Sequence, residues 1–192
     1  MKRMILVLSL ALMSNGAGAA EVAGVKLDDK LRLTPAGPEL VLNGAGIRTR
    51  FFFKVYVGAL YVSEKKASAA DVLALAGPKR VAMHMLRELT AQQLTEALAE
   101  GMSNNATDAE QATLKGRIDE LVTVMNGLGE AKTGDAIALD FLPGAGTRVV
   151  VNGKPRGRPI QGEDFYRALL RIWLGENPAD DDLKKGMLGQ GG

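Results

Sequence analysis

The chain has no cysteine among its 192 residues, which excludes disulfides, thiol nucleophiles and thiolate metal sites. Its stability therefore has to come from a packed core. It has one histidine, His84, which excludes a two-histidine metal site and leaves Ser-His-Asp chemistry only if that side chain alone is the base. His84 lies in an apolar run, where a packing or surface role is expected. Neither sign of charge dominates: 24 Lys and Arg stand against 22 Asp and Glu, and without Lys2 and Arg3 the two counts are equal. That balance argues against a nucleic-acid or anionic-membrane binder of the kind that advertises a basic excess. Arg148, Lys154, Arg156 and Arg158 cluster, but between Gly and Pro, and read as a solvated hairpin end. Repeats, low-complexity tracts and long linkers are absent.

Two motifs fail their structural tests. Gly44-Ala-Gly46 has Thr49 where a dinucleotide loop needs its third glycine, and a strand follows it instead of a helix, so a turn is expected there. Asp180-Asp-Asp182 lacks the spacing and glycine of a calcium loop, and its acids suit the start of a helix. No cofactor and no metal is expected.

The amino terminus has a short basic start, an apolar run to Met13 and then small residues with Ala17-Gly-Ala19. This is the layout of a secretory signal peptide, residues 1–19, with cleavage expected after Ala19 or Ala20 and an uncleaved anchor as the alternative. It directs the protein to the periplasm or the exterior. Residues 20–192 are enough for one domain with one sizeable core.

Short apolar stretches between Glu21 and Leu42, punctuated by Asp28-Asp29, Pro35 and Gly37-Pro38, predict short antiparallel strands. Ala69 to Leu75 predicts a short helix, and Lys79 to Leu86 a strand. Thr90-x-x-Gln93 and Thr107-x-x-Glu110 are capping boxes, the second helix being stopped by Gly127 and Gly129. Strands at Ala136–Phe141 and Thr147–Val151 lead to Asn152-Gly153, a two-residue hairpin signal, and back through Lys154 to Ile160. Helices Glu163–Leu174 and Pro178–Met187 close the chain, the second with Asn177 as its cap. Strands with grouped helices predict an α+β fold, an antiparallel sheet with a helical layer on one face.

The most specific stretch is Asn43-Gly-Ala-Gly-Ile-Arg48 and the aromatic, β-branched run that follows it to Val62. Read as one strand, it puts Phe51, Phe53, Val55, Val57, Ala59 and Tyr61 on one face. Arg48, Arg50, Phe52, Lys54, Tyr56 and Leu60 take the other. An arginine beside an apolar surface calls for an anionic or carbonyl partner for its fork of donors. A purely structural arginine, tied to backbone carbonyls or a surface acid, is the alternative.

The G-x-G-x-R signal ahead of Leu60-Tyr61-Val62 resembles the chalcone isomerase-like family. Ala168-Leu-Leu-Arg-Ile-Trp-Leu-Gly-Glu-Asn-Pro-Ala-Asp-Asp-Asp-Leu-Lys184 resembles that family's closing helix, its Gly-Glu break and the short helix beyond. The resemblance covers nearly all of the chain after its first 20 residues. It implies an open-faced β-sandwich with a ligand cleft between sheet and helices. It also implies that Arg48 either stabilises negative charge as a phenolate adds to an enone, or holds a carboxylate together with a tyrosine. Laying Arg87-Glu-Leu-Thr90 on the family's R-E-L-S run puts Met85, Leu94 and Gly101 where the enzymes have lysine, tyrosine and asparagine. Ile172 and Trp173 fall where plant enzymes have a threonine and a methionine. What remains is a greasy cleft with one cation.

A family threonine or tyrosine falls near Tyr56. Eight residues of extended strand span roughly 26 Å, so Tyr56 meets Arg48 only if a bulge or turn occurs between Thr49 and Phe52. The candidate ligand-binding residues are Arg48, Arg50, Tyr56, Tyr61, Ile172 and Trp173, with Lys54 a further candidate, and Arg48 is the catalytic candidate if the protein is an enzyme. The expected function is non-catalytic binding of a small amphipathic anion, a fatty acid or other carboxylate or a phenolic. The alternatives are an intramolecular lyase of chalcone-isomerase type and an interaction protein with a vestigial cleft. No nucleic acid partner is expected, and the sequence does not fix an oligomeric state.

Overall fold

The computed structural model describes residues 20–191; the leader-like residues 1–19 lie outside them. A small hairpin, β1 (Ala20–Val22) and β2 (Val25–Leu27), is followed by β3 (Lys30–Arg32), β4 (Glu39–Arg50) and β5 (Phe53–Val62). Helix α1 (Ala69–Ala74), β6 (Lys79–Met85), β7 (Leu89–Thr90), α2 (Ala91–Ser103) and α3 (Asp108–Asn126) form the middle of the chain. Then come β8 (Glu130–Ala131), β9 (Ala136–Leu142), β10 (Gly146–Val151), β11 (Lys154–Ile160), α4 (Glu163–Leu174) and α5 (Asp181–Met187). Seven strands make one curled antiparallel sheet in the order β11-β10-β9-β6-β5-β4-β3. The fold is α+β, as the sequence pattern predicts.

Each face of the sheet buries its own apolar set. Leu60, Met83, Met85, Leu139 and Val149 meet Leu94, Leu98, Met125, Phe165, Leu169 and Trp173 of the helices in the larger core. On the far face Val57, Ala59, Tyr61, Ala82 and Ala138 meet Leu27 and Leu33. The alternation along β6 follows from the period of two: Val81, Met83 and Met85 go to the helices, and Ala82 goes to the far side. Helix α2 starts where Thr90 and Gln93 satisfy one another's backbone N–H groups in a reciprocal capping box. Asn152 and Gly153, both at positive φ, turn β10 into β11.

Four local expectations are corrected. First, residues 48–62 are not one strand. The chain reverses at Phe51-Phe52, so that Arg48 pairs with Tyr56 and Arg50 with Phe53. No Gly, Asn or Pro marks this turn, and Phe51 takes the left-handed conformation at φ 56°. A bulge at Val55 then shifts the register and ends the strict alternation, so that Val55 joins Tyr56 in the helix-side core while Val57 goes to the far side.

Second, Gly44 and Gly46 lie inside β4 and not in a turn. They are glycines because α5 presses on that strand. A Cβ on Gly44 would sit 2.2 Å from the Gly186 carbonyl oxygen, and one on Gly46 would sit 3.1 Å from Leu183 Cα. Asn43, bulged from the ladder beside them, uses its buried amide to donate to the Lys66 and Met187 carbonyls and to accept from Lys66 N–H.

Third, the last helix begins at Asp181 with Asp180 as its cap, whose Oδ1 accepts from Leu183 N–H at 2.9 Å. Asn177 instead joins the end of α2: its side chain donates to the Asn104 carbonyl and its backbone N–H to Asn105 Oδ1. Fourth, Arg148 is not a solvated hairpin charge. With Arg80 it clamps the fully buried Asp140, at 2.6 and 2.8 Å from Arg80 and 3.0 Å from Arg148. No helix of the described residues is long and apolar enough to cross a membrane.

Candidate functional site

The β4–β5 hairpin projects beside α2, and the two leave a groove of about 480 Å³ between them. Its apolar part is Phe51, Phe53, Val55, Leu89 and Ala97; its polar part is Arg48, Arg50, Arg87, Gln93, Glu96 and Glu100. A second groove of about 240 Å³ continues past Arg48 toward Asn104 and the Asn177-Pro178-Ala179 segment. The two share Arg48, Arg50, Ala97 and Glu100, so Arg48 stands at their junction.

Arg48 is held there from two sides. Its neighbour Thr49 donates its backbone N–H to Asp180 Oδ2 at 2.9 Å, which ties the end of β4 to the cap of α5. Across the hairpin its guanidinium carbon lies 5.7 Å from the centroid of the Tyr56 ring, within cation-π range. Arg48 is half-buried, makes no salt bridge among the described residues, and keeps a fully buried Nε without a hydrogen-bond partner. A buried donor of this kind is costly to leave unmet.

Beneath Arg48 the Tyr56 hydroxyl accepts a hydrogen bond from Trp173 Nε1 at 2.8 Å. Both rings are almost fully buried. Burial pushes the Tyr56 phenol above its ordinary range, against the pull of Arg48 and the Trp173 hydrogen bond, so it stays protonated. The condition for Tyr56 to meet Arg48 is thus met by the turn at Phe51-Phe52, which brings together residues that an extended strand would hold far apart.

The remaining candidates divide. Arg50 lines both grooves. Trp173 reaches Arg48 only through Tyr56. Ile172 is core: it packs so closely on α2 that a Cβ on Gly101 would fall 2.8 Å from its Cγ2. Tyr61 is on the opposite face of the sheet, in the second core, where burial first and then Asp28 push its phenol up to about 12. Lys54 is exposed near the hairpin tip and is not among the groove residues. His84 lies on β6 between Val57 and Ala136, and burial, then Arg80, lowers its pKa.

The expected greasy cleft with one cation is also revised. Met85, Leu94, Ile172 and Trp173 are buried together in the main core. They fill the space between sheet and helices and do not line an opening. The open groove lies farther out and carries three arginines against two glutamates. Arg87, Gln93, Glu96 and Glu100 were missed as site residues. Their signal was present in part, since Gln93, Glu96, Ala97 and Glu100 fall at helical i, i+3, i+4 and i+7 spacing and so share one face of α2.

The sequence profile described as chalcone isomerase-like matches residues 19–189. The chain belongs to the chalcone isomerase-like family. A search of curated proteins finds no match. Among solved structures, a fatty-acid binding protein of Arabidopsis thaliana superposes with a TM-score of 0.61 at 15% sequence identity, over 83% of this chain and 95% of that one. At that identity the likeness is one of fold. The family holds enzymes and non-enzymatic binding proteins alike, and its fold puts this chain's arginine at the edge of the sheet-helix interface.

Proposed function

We propose that this chalcone isomerase-like protein is a non-catalytic binder of a small amphipathic anion, held in the groove between the β4–β5 hairpin and α2 with Arg48 as its anchor. A fatty acid is the example that the Arabidopsis neighbour supplies. The observation that carries the reading is Arg48 itself: a half-buried guanidinium at the junction of two grooves, with no acid paired to it among the described residues and one buried donor unused. A carboxylate is the partner its fork fits best. Arg50 and Arg87 offset Glu96 and Glu100 and leave the charge of Arg48 in excess, and Phe51, Phe53, Val55 and Leu89 offer an apolar wall to a hydrocarbon chain. The volume suits a small organic ligand. The leader-like start supports a place in the periplasm or outside the cell.

A lyase would need a second polar group beside Arg48 to hold a ketone. Met85, Leu94 and Gly101 bring none, and the Tyr56 hydroxyl is buried against Trp173. An interaction protein with a vestigial cleft fits the filled interior, but the groove beside Arg48 is open.

The test is native mass spectrometry with lipid extraction, on protein purified from its own secretory compartment and on Arg48→Ala. The expected result is a stoichiometric carboxylate-bearing adduct that disappears in the variant while its circular dichroism stays that of the wild type. A folded wild type that carries no adduct and takes up no added fatty acid would overturn the proposal, as would arginine-dependent turnover in a flavanone-forming assay.

A further inference from the structure

The tip of the β4–β5 hairpin is the chain's least economical surface. Phe51, Phe52 and Phe53 are 82%, 96% and 58% exposed, and they are the exposed large hydrophobic residues among the described ones. Together they put roughly 400 Å² of mostly aromatic surface in water, as large as the main apolar patch of many monomers. The conformation that presents them is itself unfavourable, since Phe51 holds φ at 56°, where a bulky side chain is an outlier. A solvent turn is normally built from Gly, Asn, Asp or Pro. Three consecutive aromatics in place of those residues point to something that the tip enters.

The surrounding charge says what that is. From residue 48 to 54 the sequence is Arg-Thr-Arg-Phe-Phe-Phe-Lys, three cations and no acid. The guanidinium of Arg50 lies 5.9 Å from the Phe51 ring centroid, and that of Arg87, from the adjoining loop, lies 4.8 Å from the Phe53 ring. Arg50, Lys54 and Arg87 are exposed and make no salt bridge among the described residues. Of the acids near this end, Asp180 accepts the Thr49 N–H, Glu96 and Glu100 stand on the α2 wall of the groove, and Glu130 lies at the β7–β8 ladder, where a hydrogen bond with Glu88 and then its charge raise the Glu130 pKa. An aromatic wedge with cations immediately behind it matches the layering of a bilayer surface: rings at the boundary of headgroups and acyl chains, cations level with the phosphates.

We propose that the Phe51-Phe52-Phe53 tip docks this protein on a membrane surface containing anionic phospholipid, with Arg50, Lys54 and Arg87 against the headgroups; the near-neutral charge of the whole chain argued against such binding, but the basic excess is local to this tip. Phe51 and Phe53 also line the Arg48 groove, so docking would bring the groove's mouth to the lipid surface. The tip and the ligand reading stand or fall separately. Phe52 is not among the groove residues and is the most exposed of the three, so it can be changed without touching either the groove or the core.

The test is flotation of residues 20–192 with vesicles of phosphatidylcholine alone or mixed with phosphatidylglycerol, for wild type, Phe52→Ser, Lys54→Ser and Arg48→Ala. Wild type is expected to float with the mixed vesicles and less with the neutral ones, and to be released by high salt. Phe52→Ser is expected to weaken partitioning about tenfold or more, the loss of one inserted aromatic ring, and Lys54→Ser to weaken it on mixed vesicles only. Arg48→Ala should float like wild type even where it has lost its carboxylate adduct. Wild type that floats with neither vesicle, or Phe52→Ser that floats as wild type does, overturns the proposal. So does a concentration-dependent dimer without flotation that Phe52→Ser dissolves, because it assigns the tip to a second copy of the chain.

Discussion

Tyr56→Phe tests the buried pair beneath Arg48. The substitution removes one oxygen atom and keeps the ring on which Arg48 rests, so it changes little but the acceptor of the Trp173 N–H bond. Both partners are almost fully buried, so no water can take the hydroxyl's place without opening the core. An orphaned buried donor costs about 1–3 kcal/mol. With a denaturant slope of about 2 kcal/mol per molar urea, the unfolding midpoint should fall by roughly 0.5–1.5 M. Trp173 is the chain's single tryptophan, so its fluorescence follows both the unfolding curve and the native environment, and the native emission should move to shorter wavelength as the indole loses its partner. An unchanged midpoint together with unchanged emission would refute the reasoning, because the hydrogen bond would then be contributing nothing in solution.

Two further changes probe the frame around the site. Gly44→Ala should destabilise by about 1–3 kcal/mol or more, since the new methyl would lie 2.2 Å from the Gly186 oxygen and 2.7 Å from Gly189 N, both backbone atoms; urea denaturation followed by Trp173 emission measures it. His84 should make stability depend on pH in one direction. Burial, then Arg80, lowers its pKa in the folded state, so its contribution is complete above the unfolded value near 6.5 and is lost as pH falls through the folded pKa. Urea midpoints taken between about pH 8 and pH 5 should decline for the wild type and less for His84→Gln.

Where the sequence carried a local signal, the elements could be read from it. The Thr90 and Thr107 caps, the Asn152-Gly153 turn and the alternation along β6 all act within a few residues, so a pattern four to eight residues long contains the whole cause. The features that were not legible depend on partners remote in sequence. Gly44 and Gly46 imitate a turn because their reason, the backbone of α5, lies far along the chain. Arg148 reads as a surface charge until β9 brings Asp140 opposite it. The turn at Phe51-Phe52 was hidden more thoroughly: its residues favour strands, and only the pairing of β4 with β5 and the bulge at Val55 force the reversal. The site inherited that blind spot. Arg48 and Tyr56 were each legible as candidates, but their pairing hung on a turn that the residues do not announce, and Arg87 and the α2 face were assigned no part in the site.

Catalysis and binding ask different things of one arginine. Intramolecular addition needs reacting atoms held in a near-attack geometry and a site closed to water, where a fixed cation acts on developing charge. In this chain the enclosed space between sheet and helices, where such a site would lie, holds Tyr56, Met85, Leu94, Ile172 and Trp173 packed against each other. Arg48 is left facing outward into an open groove, above a tyrosine whose hydroxyl is already engaged. Holding an anion requires less: a cation half-withdrawn from water, an apolar wall beside it, and access. Access is also what the hairpin supplies, because the same reversal at Phe51-Phe52 that sets Tyr56 under Arg48 carries three phenylalanines out past the groove's mouth. The turn that the sequence concealed therefore sets Tyr56 under Arg48, walls the groove proposed to hold the anion and carries the phenylalanines past its mouth, and a chain that kept Arg48 but continued straight through residues 49–53 would have none of the three.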